Sequence, residues 1–173
     1  MVFFKNIEVK ELKQKYGEKH KGLIAQEPIA KGEQFWSCNC ADKDGSYTRD
    51  QLLEIIRAQP RLDYFVRSFS YMIDDDLYAM PVTYAEEKNN DECAYFNHSC
   101  APNCGFSDAF GDCLVAVRDI AVGEELTCHY GTLETEASLI VGLTCMCGSQ
   151  NCCGRLTFDF YRDPAFVAKY YPY

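Results

Sequence analysis

Short stretches of β-branched, aromatic and other apolar residues recur along the chain, and small polar residues, glycine or proline separate them. Stretches this short are typical of strands rather than helices. The strands predicted from this pattern are Gly22–Ala25, Gln34–Cys38, Phe69–Ile73, Leu77–Val82, Cys113–Val117 and Glu125–Cys128. The chain is therefore expected to be mainly β, with many short strands and few short helices.

Two segments show helical patterns. Across Thr48–Ala58, three apolar residues share one face at helical spacing: Leu52, Ile55 and Ile56. Thr48 and Gln51 have the spacing of a capping box, in which each side chain bonds the backbone of the other residue. A second helix is predicted over Asp163–Tyr170, with the aspartate as its cap and a proline in its first position.

The length of 173 residues and the 47% of hydrophobic residues fit one globular domain with its own core. No apolar run approaches the ~18 residues of a membrane helix, so no membrane partner is expected. The first residues lack the basic start and apolar run of a secretory signal. An intracellular location, in the nucleus or the cytoplasm, is therefore expected.

The formal net charge is −9. It argues against direct nucleic-acid binding, because a phosphate backbone attracts a basic surface. It suits a basic protein partner, such as a segment rich in lysine and arginine. The alternative is that the acidic composition serves only solubility. Composition leaves the oligomeric state open.

The chain contains eleven cysteines, an odd number. In a chain without a secretory signal this predicts zinc and reduced thiols rather than a disulfide framework. Cys145, Cys147 and Cys152 form a C-x-C-x4-C pattern that can wrap one zinc ion, with a glycine to relax the turn. The fourth ligand must come from elsewhere, because the adjacent Cys153 is poorly placed to reach the same ion. The alternative is a group of ordinary thiols.

The stretch Tyr95–Cys104 is the most distinctive polar segment. Two aromatic residues lead into Asn-His-Ser-Cys, and Pro102 forces a turn. A polar loop entered from apolar residues is suited to holding a ligand. Taken alone, the same pattern is also that of a capped turn.

Three segments together resemble the SET-domain protein lysine methyltransferases. Asn97–Asn103 resembles their N-H-S-C-x-P-N signature, and Gly123–Gly131 is similar to their G-E-E-L-T-x-D-Y-G signature. The C-x-C-x4-C cysteines resemble the post-SET zinc motif. Lys21–Ala25, followed by Lys31–Glu33, resembles the opening strand pair. The resemblance spans about Lys21 to Leu156, with the motifs in the family's order.

This resemblance implies a fold of several small curved sheets with a knot-like threading of the C-terminal segment. It implies a SET domain over residues 1–140, with a helical insert around 48–60. It also implies a zinc-bound post-SET segment and tail over residues 141–173.

The resemblance further implies S-adenosyl-L-methionine as cofactor and one structural zinc ion. The implied cofactor-binding residues are Gly22, Leu23, Asn97, His98, Tyr130 and Leu156. The implied catalytic residues are Tyr130 and Tyr71. The implied lining of the substrate channel is Tyr71, Cys128 and Phe158. The implied zinc ligands are Cys100, Cys145, Cys147 and Cys152.

The chain departs from the family pattern at several positions. His129 stands where an aspartate usually precedes the catalytic tyrosine. Cys128 stands where phenylalanine or tyrosine is common, at a position that tunes the number of methyl groups added. Because cysteine is small, the site is expected to have room for more than one methyl group. His20 replaces the usual first glycine of the cofactor strand, and Ala94–Tyr95 replaces the usual Arg-Phe.

The resemblance implies a basic protein substrate, with histone tails as the commonest in the family. The alternatives are a non-histone protein and, for a microbial source, the chromatin of a host nucleus. A further alternative is a catalytically silent, zinc-stabilised interaction module. A Cys–His hydrolase using His20 or His129 is the last alternative, but no nucleophile signature supports it.

Overall fold

The computed structural model describes residues 2–18, 20–37, 44–88, 92–107 and 113–170. Within these ranges the strands are β1 (Val2–Phe3), β2 (Ile7–Glu11), β3 (Lys21–Ala25), β4 (Gln34–Ser37), β5 (Asp44–Thr48), β6 (Tyr71–Asp74), β7 (Leu77–Pro81), β8 (Asn97–His98), β9 (Cys104–Phe106), β10 (Cys113–Ala116) and β11 (Glu125–Cys128). The helices are α1 (Lys13–Tyr16), α2 (Arg49–Ala58), α3 (Asp63–Phe69) and α4 (Pro164–Tyr170). Short 3-10 turns cover Pro60–Leu62, Tyr84–Glu86, Glu92–Tyr95, Tyr130–Thr132 and Phe160–Arg162.

The described strands form three small sheets, with the orders β1-β4-β10-β9, β2-β3-β11-β8 and β5-β7-β6. Their pairings are antiparallel, except that β11 and β8 run parallel. That parallel pair sets Thr127 opposite Asn97 and Cys128 opposite His98. The mainly β class, with several small sheets and few helices, is therefore confirmed.

Two hydrophobic cores hold these sheets together. The first core contains Leu23, Ala25, Ile29, Phe35, Trp36, Phe96, Cys104, Leu114, Ala116, Ile120, Leu126 and Cys128. The second core lies mainly in residues 44–88, which are called the insert from here on. This insert core joins α2, α3 and the sheet β5-β7-β6, and contains Leu52, Leu62, Val66, Met72, Tyr78, Met80 and Leu139. Each fully buried leucine, isoleucine, valine, phenylalanine or methionine in these cores stabilises the fold by about 1.5–3 kcal/mol relative to exposure.

The insert is bonded to the segment that follows Tyr130. The Tyr78 hydroxyl donates to the Ala137 carbonyl at 2.6 Å, and an Arg67 guanidinium nitrogen donates to the Leu139 carbonyl at 2.6 Å. The Met72 amide donates to the Glu134 carboxylate at 3.2 Å. The insert core thereby supports the chain that follows the second signature, which ends at Gly131.

Most predicted elements are confirmed within a residue or two. α2 begins after Thr48 with both bonds of the capping box in place. α4 covers Pro164–Tyr170, and the Asp163 carboxylate accepts from the Ala165 amide at 2.9 Å, as a cap does. Cys38, the last residue of one predicted strand, lies outside the described residues.

The prediction of a strand from Phe69 is wrong at its start. Phe69 is the last residue of α3, and β6 begins at Tyr71. The Phe69 ring lies 4.7 Å from the Phe65 ring, one helical turn earlier, and 6.0 Å from the Tyr95 ring. These ring contacts, together with an Asp63–Arg67 ion pair four residues apart, favour the helix over the strand.

Among the described residues, no helix has both the length and the apolar character required to cross a bilayer.

Candidate active site

The parallel pair β8–β11 brings together two segments that are far apart in the sequence. The Ser99 amide extends the pairing by donating to the Cys128 carbonyl at 2.9 Å. The buried Asn103 side chain joins the segments a second time: its amide donates to the Glu125 carbonyl at 2.9 Å, and its oxygen accepts from the Thr127 amide at 2.8 Å. The two signatures therefore form one hydrogen-bonded unit.

Asn97 is held by its amide group. Its Nδ2 donates to the Lys21 carbonyl and to Glu125 Oε1, each at 2.8 Å. Because both amide hydrogens are used, the side-chain oxygen remains as an acceptor for a ligand. Gly22 leaves the space for this arrangement, since a Cβ there would lie 2.9 Å from both Asn97 Nδ2 and Glu125 Oε1. Leu23 is fully buried in the first core, so only its backbone is available to a ligand.

Glu125 is a site residue for which the sequence predicted no role. Besides Asn97, its carboxylate accepts from Lys15 Nζ at 2.7 Å and from the Tyr16 hydroxyl at 3.2 Å. Burial raises the pKa of Tyr16 to about 12, so this phenol remains a donor. These contacts dock α1 beside Gly22 and Asn97. The sequence feature that could have indicated this role of Glu125 is its position in the second signature.

Tyr130 is fixed at both its hydroxyl and its backbone. The hydroxyl donates to the Phe96 carbonyl at 2.8 Å. The backbone amide donates to His98 Nδ1 at 3.2 Å. Burial, followed by nearby acidic groups such as Cys128, holds the pKa of Tyr130 well above its ordinary value. The phenol is therefore neutral at physiological pH, with its proton committed to a carbonyl.

The remaining predicted channel and cofactor-binding residues lie on β11, on β6 and in the C-terminal segment. Cys128 ends β11 and is 3% exposed, and burial raises the pKa of its thiol to about 12. Tyr71 is partly buried at the start of β6 and pairs with Ala79. Leu156 and Phe158 are buried, and Phe158 has φ of 59°, a region that a bulky side chain seldom adopts. The roles expected of these four residues remain predictions.

Four cysteine sulfurs form a cluster that can bind one metal ion. The Sγ atoms of Cys100, Cys145, Cys147 and Cys152 all lie within 4.8 Å of one another. A tetrahedral zinc ion with bonds of about 2.3 Å places its sulfurs about 3.8 Å apart. The Cys100–Cys145 Sγ distance is 3.8 Å. The donor set and this spacing therefore fit a structural zinc ion.

Backbone amides surround the cysteine cluster. The Ser149 amide donates to Cys147 Sγ at 3.5 Å, and the Gly154 amide donates to Cys152 Sγ at 3.4 Å. Burial raises the pKa of Cys147, but hydrogen bonds from Ser149, from the Cys100 backbone and from the Cys145 thiol outweigh it and lower the pKa to about 6. Donors of this kind stabilise thiolate ligands and orient them toward a metal.

Cys153 lies closer to the cluster than its position in the sequence suggested. Its Sγ is 3.5 Å from Cys100 Sγ, and its amide donates to the same sulfur at 3.4 Å. Cys153 could therefore join a second ligand group with His98, Cys100 and Cys145. Two observations favour the four-cysteine group. Cys153 is exposed. His98 Nδ1 accepts from Tyr130, which places the imidazole proton on Nε2, the nitrogen nearest Cys100 Sγ.

Comparison with known proteins agrees with this geometry. The family model described as "SET domain" matches residues 20–131. The methyltransferase flvH of Aspergillus flavus is 32% identical over 81 residues, which are 46% of this chain and 44% of that protein. A histone-lysine N-methyltransferase of Neurospora crassa, specific for H3 lysine 4, is 29% identical over 140 residues, covering 78% of this chain and 10% of that protein.

A histone-lysine N-methyltransferase of Schizosaccharomyces pombe, specific for H3 lysine 9, is 28% identical over 145 residues, or 72% of this chain and 26% of that protein. The chain thus spans less than half the length of each of these relatives. The family match covers more than half of the chain and includes both signatures that pair through β8 and β11. The chain therefore belongs to the SET domain family.

Proposed function

We propose that this chain is an S-adenosyl-L-methionine-dependent protein lysine N-methyltransferase, and that histone tails are its substrate class. The observation that carries the proposal is the position of Tyr130. Its neutral hydroxyl is fixed on the Phe96 carbonyl, beside the paired Asn97–His98 segment, within a SET domain.

Gly22, Leu23, Asn97, His98, Tyr130 and Leu156 would hold the cofactor. When bound, S-adenosyl-L-methionine supplies a methyl group activated by a sulfonium. Asn97 would contribute its side-chain oxygen as an acceptor, because Lys21 and Glu125 already occupy its amide hydrogens. The backbone at Gly22 and Leu23 would approach the cofactor closely, because no side chain stands at Gly22.

The substrate amine must be neutral to act as a nucleophile. An ordinary lysine has a pKa of about 10.4, and a channel with apolar walls disfavours its charged form. Because the Tyr130 proton is used on the Phe96 carbonyl, its oxygen acts as an acceptor. It can accept an N–H of the amine and thereby point the lone pair at the methyl group. Positioning and desolvation would carry most of the rate enhancement.

The cysteine cluster would supply structure rather than chemistry. Four thiolates complete the coordination of zinc and leave no open position for substrate. Cys100 lies two residues after His98, whereas the other three cysteines precede Leu156 and Phe158. The ion would therefore tie the cofactor-binding segment to the segment proposed to close over it.

A basic protein segment suits the charge of this chain. The net charge is −9. Three exposed carboxylates lie at the tip of the β6–β7 hairpin: Asp74 ends β6, and Asp75 and Asp76 form the turn. These lie on the same hairpin as Tyr71, which we propose as a channel residue. Two of the relatives are named for histone H3 lysines. Histone tails are therefore the substrate class to test first, with non-histone proteins as the alternative.

The test measures binding and transfer separately. Calorimetry with S-adenosylhomocysteine, followed by transfer of labelled methyl groups to histones, nucleosomes and a cell lysate, is compared for wild type and Asn97→Ala. We expect wild type to bind S-adenosylhomocysteine and to label histones. We expect Asn97→Ala to bind S-adenosylhomocysteine at least about tenfold more weakly, because the hydrogen bond proposed for the Asn97 side-chain oxygen is lost. Labelling confined to other lysate proteins would reject histones as substrates. Absence of cofactor binding by the wild type would support the silent module instead.

A further inference from the structure

His129 is the residue at which this chain departs most visibly from the family pattern, next to Tyr130. The side chain is 5% exposed. It lies at the centre of a cluster of rings, and its contacts extend in two directions. One set reaches the backbone that carries Tyr130, and the other reaches the C-terminal helix α4.

The first contact caps the turn that carries Tyr130. Residues Tyr130–Thr132 form a 3-10 turn, and His129 Nδ1 accepts from the Gly131 amide at 3.1 Å. A carboxylate oxygen can cap such a turn in the same way, and here an imidazole nitrogen does so. The His129 carbonyl also accepts from the Thr132 hydroxyl at 2.8 Å. The capping function is thus retained while the side chain changes from a carboxylate to a ring.

In the second set of contacts, the His129 ring packs against two aromatic side chains of α4. The imidazole centroid lies 4.8 Å from the ring of Phe166 and 5.2 Å from that of Tyr170, both on α4. It lies 4.8 Å from the ring of Phe160, edge to face. Gly131 makes room, since a Cβ there would lie 2.5 Å from Phe160 Cδ2. A carboxylate at position 129 could not offer α4 this aromatic surface.

The same ring contacts the proposed cofactor-binding segment. The imidazoles of His129 and His98 are 4.7 Å apart, edge to face. The Tyr170 hydroxyl donates to the carbonyl of Cys100, a proposed zinc ligand, at 3.4 Å. α4 therefore packs where the Asn97–His98 segment, the Tyr130–Thr132 turn and the cysteine cluster meet.

We propose that His129 is a positioning residue with two separable roles, which are to hold the Tyr130 turn in register and to dock α4 against the active site. Only the first role, holding the Tyr130 turn in register, depends on the proposed methyltransferase function. The docking of α4 can be measured without any methyl transfer.

Two variants separate the roles. His129→Asn retains an acceptor near the position of Nδ1 and removes the ring. His129→Phe retains the ring and removes the acceptor. Both are followed by steady-state methyl transfer and by limited trypsin digestion. Trypsin reports the release of α4 by cleavage after the exposed Lys169 on that helix, relative to cleavage after the exposed Lys88 in the insert.

We expect His129→Asn to raise the Lys169/Lys88 cleavage ratio about tenfold, because α4 loses its aromatic contacts, while kcat stays within about threefold. We expect His129→Phe to keep the wild-type ratio and to lower kcat about tenfold with unchanged KM, because the capping bond is lost. Phe166→Ala should raise the cleavage ratio as His129→Asn does.

Two results would overturn the proposal. One is a wild-type cleavage ratio in His129→Asn. The other is a parallel loss of both readouts in both variants, which would mean a general role in folding. Absence of methyl transfer by the wild type would instead overturn the proposed function, and the cleavage ratio would still decide the docking of α4.

Discussion

Two neighbouring imidazoles hold consecutive backbone amides at the active site. His98 Nδ1 accepts from Tyr130, and His129 Nδ1 accepts from Gly131. An Nδ1 acceptor requires that the ring be neutral, with its proton on Nε2. Burial lowers the pKa of His98 to about 4 and that of His129 to about 3. Both rings are therefore neutral at physiological pH, as this geometry demands.

The neutrality of His129 predicts a loss of stability in acid. In the unfolded chain the His129 imidazole has its ordinary pKa of about 6.5, so it binds a proton below that pH. In the folded chain the imidazole binds the proton only near pH 3, so folding becomes less favourable as the pH falls below about 6.5. Between pH 7.5 and 5.5, wild type should lose about 1.4 kcal/mol more of its free energy of unfolding than His129→Asn. Urea unfolding at constant zinc measures this difference. Parallel losses in the two proteins would contradict it.

Cys128 predicts the extent of methylation. It lies opposite His98 at the end of β11, and its small side chain is expected to leave room for more than one methyl group. Wild type should therefore form dimethyl- or trimethyl-lysine, and Cys128→Phe should shift the product toward monomethyl-lysine. The larger ring should also destabilise the fold by about 1–3 kcal/mol through overpacking. Mass spectra of peptide products decide the point, and a wild-type reaction that stops at monomethyl-lysine would refute it.

The loop that carries Cys145, Cys147, Cys152 and Cys153 is closed by pairing between its ends. Thr144 forms a bridge with Arg155, and the Gly142 amide donates to the Leu156 carbonyl at 2.7 Å. Within the loop, Gly148 and Gly154 have φ near +70°, a region open to glycine. The backbone thus presents its sulfurs toward Cys100 from a short closed turn, and a metal ion would lock this element onto the signature segment.

Adjacent cysteines in this loop give a matched pair of variants. Cys152→Ser should reduce bound zinc from one ion per chain to near none and lower the melting temperature by several degrees, because a structural metal contributes folding energy. Cys153→Ser should retain the ion. Metal content by mass spectrometry, together with thermal unfolding, tests both. Equal zinc loss in the two variants would show that Cys153 is a ligand.

Elements whose caps or apolar patterns lie within their own sequence could be predicted. Elements that are held in place by contacts with distant residues could not. α2 carries its own capping box and apolar face, and the strands near Gly22 and Glu125 carry their own apolar runs. α1 has four residues and is docked by Lys15 and Tyr16 on Glu125, across 110 and 109 positions. No local pattern encodes such a contact. The insert core likewise includes Leu139, which comes from a distant part of the sequence.

At the scale of the molecule, the same division applies to the site. Asn97, His98, Tyr130 and Cys100 were singled out through the resemblance of the signatures to the SET family, and spacing alone indicated only Cys145, Cys147 and Cys152. The ring cluster around His129 could not be predicted, since it needs Phe160, Phe166 and Tyr170 to come from the C-terminal segment. The parallel pairing of β8 with β11 joins these parts into one unit.

The most direct measurement locates the transferred methyl group and removes the tyrosine hydroxyl. A histone H3 tail peptide is incubated with S-adenosyl-L-methionine and either wild type or Tyr130→Phe, and the modified atom and the rate are determined by tandem mass spectrometry. At saturating cofactor, wild type is predicted to methylate a lysine side-chain nitrogen, and Tyr130→Phe is predicted to react at least about 100-fold more slowly. Equal rates for the two proteins, or a methyl group on another residue type, would contradict the assignment.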